Sequence, residues 1–210
     1  MRGFTLFISV LLHPMLMATY CCLLIFFGIK NSVYDFMTPT ETKWRITLIV
    51  FLFSFLFPAL NIFILYKMKR LSSITISNPR ERTFPYIMTA IFYFGLFYLL
   101  KDINIWSSIK VFIIGAGLAI LLTAIINLKF KISAHMVGIG GLLGILISLS
   151  YLTKYDMTSF YILVIVLAGC LGFARLYLNE HIPSQLYTGF LLGLLVQIGL
   201  FFILQNLTFA

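Results

Sequence analysis

Charge is what this chain has least of. Asp, Glu, Lys and Arg together make up 10% of its 210 residues, where a soluble domain carries about 25%. The deficit is greatest in acids, with only six Asp and Glu against 15 Lys and Arg. The three aspartates, Asp35, Asp102 and Asp156, lie far apart. That argues strongly against prenyl transfer, in which membrane enzymes hold a diphosphate through magnesium on clustered aspartates. Cysteine is equally sparse. Cys21, Cys22 and Cys170 sit inside apolar runs, and an odd count in that setting argues for packing rather than a disulfide framework. No Cys/His spacing matches a zinc site. The apolar runs do not alternate with polar residues, which excludes a membrane β-barrel. No fixed-period repeat, low-complexity tract or polar linker appears.

What is present is hydrocarbon. Hydrophobic residues form 61% of the chain, and the mean hydropathy is +1.06. A membrane core about 30 Å thick takes roughly 20 apolar residues per helix. The pattern predicts seven spans, near 3–28, 46–66, 86–100, 108–127, 133–153, 158–174 and 186–207, the first interrupted by Pro14. The fold class is therefore all-α, a polytopic transmembrane helical bundle. Residues 1–210 read as a single integral membrane domain. The start, Met1-Arg2-Gly3 followed by a long apolar run, reads as a first span: the run is too long for a signal peptide and has no small-x-small cleavage site. Trp44, Tyr66, Trp106, Tyr151 and Tyr155 stand at run ends, where amphipathic rings anchor a helix at the lipid–water boundary. Glycines at 138, 140, 141 and 144, and the Gly189/Gly193 pair, mark close helix packing.

The net charge of +9 does not point to nucleic acid. The cations cluster at segment ends, where they meet lipid phosphate or set topology. By alternation of the spans, the loops 67–85, 128–133 and 175–185 share one membrane face. That face carries nine of the 15 Lys and Arg. Four of the nine are candidate ligands, so the bias does not decide orientation.

Those three loops hold the polar groups with most chemistry in them. Ala174-Arg175 is followed after five residues by His181 and after three more by Gln185. Ile132-Ser133-Ala134-His135 opens another apolar run, and Asn78-Pro79-Arg80-Glu81-Arg82 precedes a third. A histidine can attack phosphorus and split a hydrolysis into two easier steps. A second histidine can supply the leaving group's proton. Arginine grips phosphoryl oxygens through a charged two-pronged fork. His13, before Pro14, reads as a packing or kink feature. Lys67, Lys69 and Arg70 read as a solvated flank.

In these blocks the chain resembles the type 2 phosphatidic acid phosphatase superfamily, the membrane lipid phosphatases related to vanadium haloperoxidases. That family's third block is Ser-Arg, five residues, His, three residues, Asp. Its second is Pro-Ser-Gly-His, and its first is Lys, six residues, Arg-Pro. The resemblance covers residues 78–207, leaving 1–77 as additional N-terminal spans, and implies a six-helix lipid phosphatase core. It implies His181 as nucleophile, His135 as general acid and position 185 as the group orienting His181. Arg175, Ser133, Arg82, Arg80 and Lys131 would bind phosphate. The implied reaction is hydrolysis of a lipid phosphate or diphosphate through a phosphohistidine, with no metal or cofactor, in a multi-pass protein of the cell (inner) membrane. Its partners would be the lipid substrate and the bilayer, with no nucleic acid. Three departures stand out: Gln185 replaces the aspartate, Ala134 replaces the glycine, and the first block does not keep its spacing. They support an alternative, a weak or inactive relative that binds or moves phosphate-headed lipids.

Overall fold

A computed structural model describes residues 1–29, 38–74, 76, 79–103, 105 and 107–208, and every regular element among them is helical. The helices are α1 (Arg2–Leu11), α2 (Met17–Leu23), α3 (Thr40–Phe51), α4 (Phe57–Lys67), α5 (Pro79–Leu100), α6 (Ser107–Asn127), α7 (Ala134–Thr153), α8 (Thr158–Tyr177) and α9 (Pro183–Thr208). A π-helical turn, Leu24–Gly28, extends α2, and another, Leu52–Leu56, joins α3 to α4. Seven segments are long and apolar enough to cross a membrane: Arg2–Gly28, Thr40–Lys67, Glu81–Leu100, Ser107–Asn127, Ala134–Thr153, Thr158–Tyr177 and Pro183–Leu204. These are the seven expected spans, with ends that differ from the expected ones by up to six residues.

The bundle is built around α7, which is buried along most of its length. Its most extensive partner is α9, and glycine sets how close the two come. A Cβ on Gly144 would stand 2.7 Å from the Leu194 carbonyl oxygen, and one on Gly189 would stand 2.7 Å from that of Ser133. Gly193 faces the Val137 carbonyl more closely still. Backbone contact of this kind replaces water expulsion as the source of helix association in lipid. Exposed apolar side chains then cover the outside of the bundle, among them Leu48, Ile91, Ile125, Ile165 and Leu195. Trp44, Tyr66, Tyr151 and Tyr155 are exposed near helix ends, as anchors should be; Trp106 lies outside the described residues. Cys21 and Cys22 are buried and unbridged, whereas Cys170 is exposed beside α1.

The first span is two helices. α1 ends at Leu11, and a 3-10 turn, Pro14–Leu16, starts the next run. The Tyr20 hydroxyl donates to the Leu11 carbonyl at 2.6 Å. On one straight helix those residues would be separated by about 13 Å along the axis, beyond a tyrosine's reach, so the chain turns here. Proline causes it: Pro14 has no N–H for the ladder and its ring clashes with the preceding turn. After the turn, Pro14 and Met17 pack on Gly138 near the start of α7, and Gly28 packs on Phe160 near the start of α8. The segment 14–28 thus crosses the bundle. α1 stays beside the C-terminal half of α8, with Phe4, Thr5 and Ile8 near Gly169, Cys170 and Phe173. It buries Thr5 and Ser9 and exposes Phe4, Phe7 and Val10, an arrangement that suits a helix with lipid on its outer side.

Candidate functional site

Three helix ends and the turn at His13 converge on one cavity of about 150 Å³. Its walls include His13, Arg82, Tyr86, His135, Arg175 and His181. Residues from two of the three loops expected to share a face, and from the first turn of the helix that follows the third, therefore do meet at one end of the bundle.

The Arg175–His181 geometry follows from how α8 stops. Asn179 adopts a left-handed conformation, φ 54°, which asparagine tolerates better than most residues. The Asn179 N–H then bonds the Leu176 carbonyl at 2.9 Å, and the Glu180 N–H bonds the Arg175 carbonyl at 3.1 Å. This Schellman closure reverses the chain and carries His181 back over the helix end that bears Arg175. Pro183 opens α9 and Gln185 occupies its third position, from which a glutamine reaches back to the cap residue. Its Oε1 accepts from the Ile182 N–H at 3.3 Å and from His181 Nδ1 at 2.9 Å. An oxygen that already accepts a backbone N–H makes His181 Nδ1 the protonated nitrogen, leaving Nε2 with its lone pair.

His181 is 8% exposed. Burial, reinforced by the charges of Arg175, Lys131 and Arg82, lowers its pKa to about 4 against a partial upward effect of the Gln185 bond. The ring is therefore neutral at pH 7, the form that can attack an electrophile.

Arg175 is held by an ion pair of 3.6 Å between Nη2 and Glu180 Oε2. Its Nε is buried with no partner among the described residues. A buried donor without an acceptor costs about 1–3 kcal/mol, and an anion in the cavity would remove that cost. Arg82, 7% exposed, donates from Nε to the Ile76 carbonyl at 2.7 Å, and its guanidinium faces the Tyr86 hydroxyl. Lys131 stands nearby, with its pKa lowered by its own burial and then by Arg82. The site thus gathers three cations and one carboxylate, an excess suited to an anionic ligand.

His135, in the first turn of α7, has Nε2 at 3.1 Å from the Ser9 carbonyl oxygen. A carbonyl only accepts, so Nε2 carries hydrogen and Nδ1 is the nitrogen left for a ligand. The His13 ring meets His135 edge-on at 5.4 Å between centroids, and its Nδ1 accepts weakly from the Met15 N–H at 3.4 Å.

Among the residues expected in the site, His181, His135, Arg175 and Arg82 share the cavity wall, and Gln185 touches it through His181. Lys131 acts on the site by charge rather than as a wall residue. Ser133 is off the wall. It is fully buried against Gly189, its N–H is bonded to the Gln185 carbonyl at 3.3 Å, and its Oγ has no partner among the described residues. Asn78 and the Arg80 side chain lie outside the described residues. Sequence reasoning left out two contributors, His13 and Tyr86. The signal for His13 was available: a histidine beside the only proline in the first apolar run marks where that run breaks. Tyr86 carries no comparable mark in a chain with 11 tyrosines.

His135, Arg175, His181 and Gln185 come from the motif spacing of the second and third blocks, whereas Arg82 belongs to a block that does not keep its spacing. In comparisons with known proteins, no family model, curated protein or solved structure matches this chain.

Proposed function

We propose that this protein is a membrane phosphatase that hydrolyses the phosphate or diphosphate of a lipid through a phosphohistidine, with His181 as nucleophile. The observation carrying this reading is the pairing in one cavity of a neutral, oriented His181 with the buried, partnerless Nε of Arg175. The phosphoryl oxygens would lie against Arg175 and Arg82, where fixed cations in a dry site stabilise charge as it spreads. His181 Nε2 forms a bond to phosphorus while the ester P–O bond breaks. The departing oxygen takes a proton from His135 Nδ1, the nitrogen left free by the Ser9 bond. Water then attacks phosphorus, the N–P bond breaks, and inorganic phosphate leaves with a proton returned to His135. An incoming phosphate dianion favours the protonated His135 this sequence needs. The protein would act in the cell membrane, with the lipid chain among the helices and its head at the cationic end.

Acid-quenching the full-length protein with ³²P-labelled lipid phosphate tests this. The expected result is an acid-labile, alkali-stable label on the parent and none on His181→Ala. Phosphate release at equal rates from the two proteins would remove the nucleophile.

One observation favours a second reading. Gln185 gives His181 an amide oxygen and no negative charge, so a cation forming on the ring is less supported than beside a carboxylate. A site that binds a phosphate headgroup without turning it over would hold ligand, release no phosphate and leave no label.

A further inference from the structure

A second cavity adjoins the first. It lies between α5, α6 and α7 and is lined almost wholly by apolar groups. Pro14, Met15, Tyr86, Thr89 and Ala134 line both spaces, so the two lie side by side. Tyr86 marks the junction, with its hydroxyl facing Arg82 in the cationic space and its residue also lining the apolar one. The two threonines on the apolar wall turn their hydroxyls to their own helices: Thr89 Oγ1 bonds the Pro85 carbonyl at 2.8 Å and Thr123 Oγ1 bonds that of Ala119 at 2.7 Å. Each is thereby satisfied without a ligand. The deep end is closed by Gln197, whose Nε2 donates to the Phe112 carbonyl at 3.0 Å.

We infer that this slot takes a single hydrocarbon chain of a phosphate-headed lipid, which narrows the substrate class to single-chain phosphates. The inference rests on the phosphate reading of the adjoining cavity. Its dimensions set the limit. The α7 wall from Ala134 to Gly141 runs for about 10 Å at the helical rise. The slot's volume is about 60 Å³. A water-sized group needs roughly 10–15 Å³ on this measure, so about four to six such groups fit in file. That is room for the head-proximal part of one chain and not of two side by side. Charge decides the direction of entry: the anionic head stays with Arg175 and Arg82, and hydrocarbon gains by passing Tyr86 into a space whose wall is apolar apart from Gln197 at the deep end, where Oε1 is a buried acceptor with no partner among the described residues.

The test uses full-length protein in detergent and four phosphates: octadecyl phosphate, geranylgeranyl phosphate, a dihexadecanoyl phosphatidate, and the water-soluble p-nitrophenyl phosphate. The parent is expected to favour the two single-chain esters over the two-chain one by about tenfold or more, the equivalent of about two methylenes held in apolar contact. The ranking of the first two identifies a linear or an isoprenoid chain, and either supports the slot. Ala116→Phe fills the slot and is expected to lower the ratio of single-chain to p-nitrophenyl phosphate turnover by about tenfold. Gly141→Ala, where an added Cβ meets Gln197 Cγ at an ordinary 3.6 Å, narrows the slot without disturbing the fold and should lower the same ratio less. Equal preference for one and two chains, or a ratio unmoved by both variants, would overturn the slot. If no ester releases phosphate, hydrolysis fails as a function, and calorimetric binding of dodecyl phosphate reads the slot alone. Affinity weaker in Ala116→Phe by about tenfold would support it, and equal affinities would overturn it.

Discussion

His181 Nδ1 stands 2.9 Å from Gln185 Oε1, and the same oxygen takes the Ile182 N–H at 3.3 Å. One amide thus orients the ring, fixes its tautomer and caps the start of α9. It brings no charge to the imidazole. Gln185→Asp should therefore raise the rate of phosphate release from a lipid phosphate. The reverse change, acid to amide, costs about 10⁴ in serine proteases, which sets a ceiling on the gain. Initial rates of the two proteins check this, and a slower Gln185→Asp would show that the amide is needed as it stands.

The pH profile has a definite sign. His181 attacks only when neutral, and burial holds its pKa at about 4 rather than near the ordinary value of about 6.5. The acid limb of kcat/KM assigned to this residue is expected to stay flat from neutral pH down past 5 and to fall through about 4. In Gln185→Asp the added negative charge favours the protonated ring, so the limb moves upward. A limb near the ordinary value in the parent would mean that His181 is solvated in the working protein.

Arg175 and Lys69 separate a built site from a diffuse basic surface. Arg175 has a buried, partnerless Nε on the cavity wall, whereas Lys69 is exposed. A hydrogen bond to a charged group contributes about 1.5–3 kcal/mol, so Arg175→Ala should weaken vanadate or phosphate binding by about 10- to 100-fold. Arg175→Lys should recover only part, because an ammonium lacks the planar fork. Lys69→Ala should change affinity by less than about twofold. Comparable losses at both positions would favour the diffuse surface.

The helix pairing can be probed with glycine alone. Gly144 faces the Leu194 backbone, while Gly169 on α8 has open space beside it. Gly144→Val should lower the unfolding temperature in detergent, with overpacking costing about 1–3 kcal/mol. Gly169→Ala should leave it unchanged or raise it slightly, since glycine inside a helix costs about 0.5–1 kcal/mol relative to alanine. Equal shifts would mean that α7 and α9 are not in backbone contact.

Much of this architecture is legible in the amino-acid order. The spans are, because a 20-residue apolar run has few alternatives in lipid. The meeting of Arg82, His135, Arg175 and His181 is too, because crossing parity alone brings their loops to one face. What the order does not show is depth. Ser133 lies one residue from the cavity wall yet is turned into the α7–α9 contact, because Gly189 lets the backbones meet there. His13 comes into the site only because the chain turns at Pro14 and packs on Gly138, a long-range contact that no local pattern encodes. The Ser9 carbonyl on His135 is hidden for the same reason, since any residue type offers that oxygen.

Phosphate release measured side by side for the parent, His181→Ala and His135→Ala on a single-chain lipid phosphate tests the central claim most directly. Release by the parent should fall by about 10³-fold or more in His181→Ala, and by about 10²–10⁴ in His135→Ala, the range of a lost general acid. Release that survives both substitutions unchanged would contradict a phosphoryl-transfer site at this cavity.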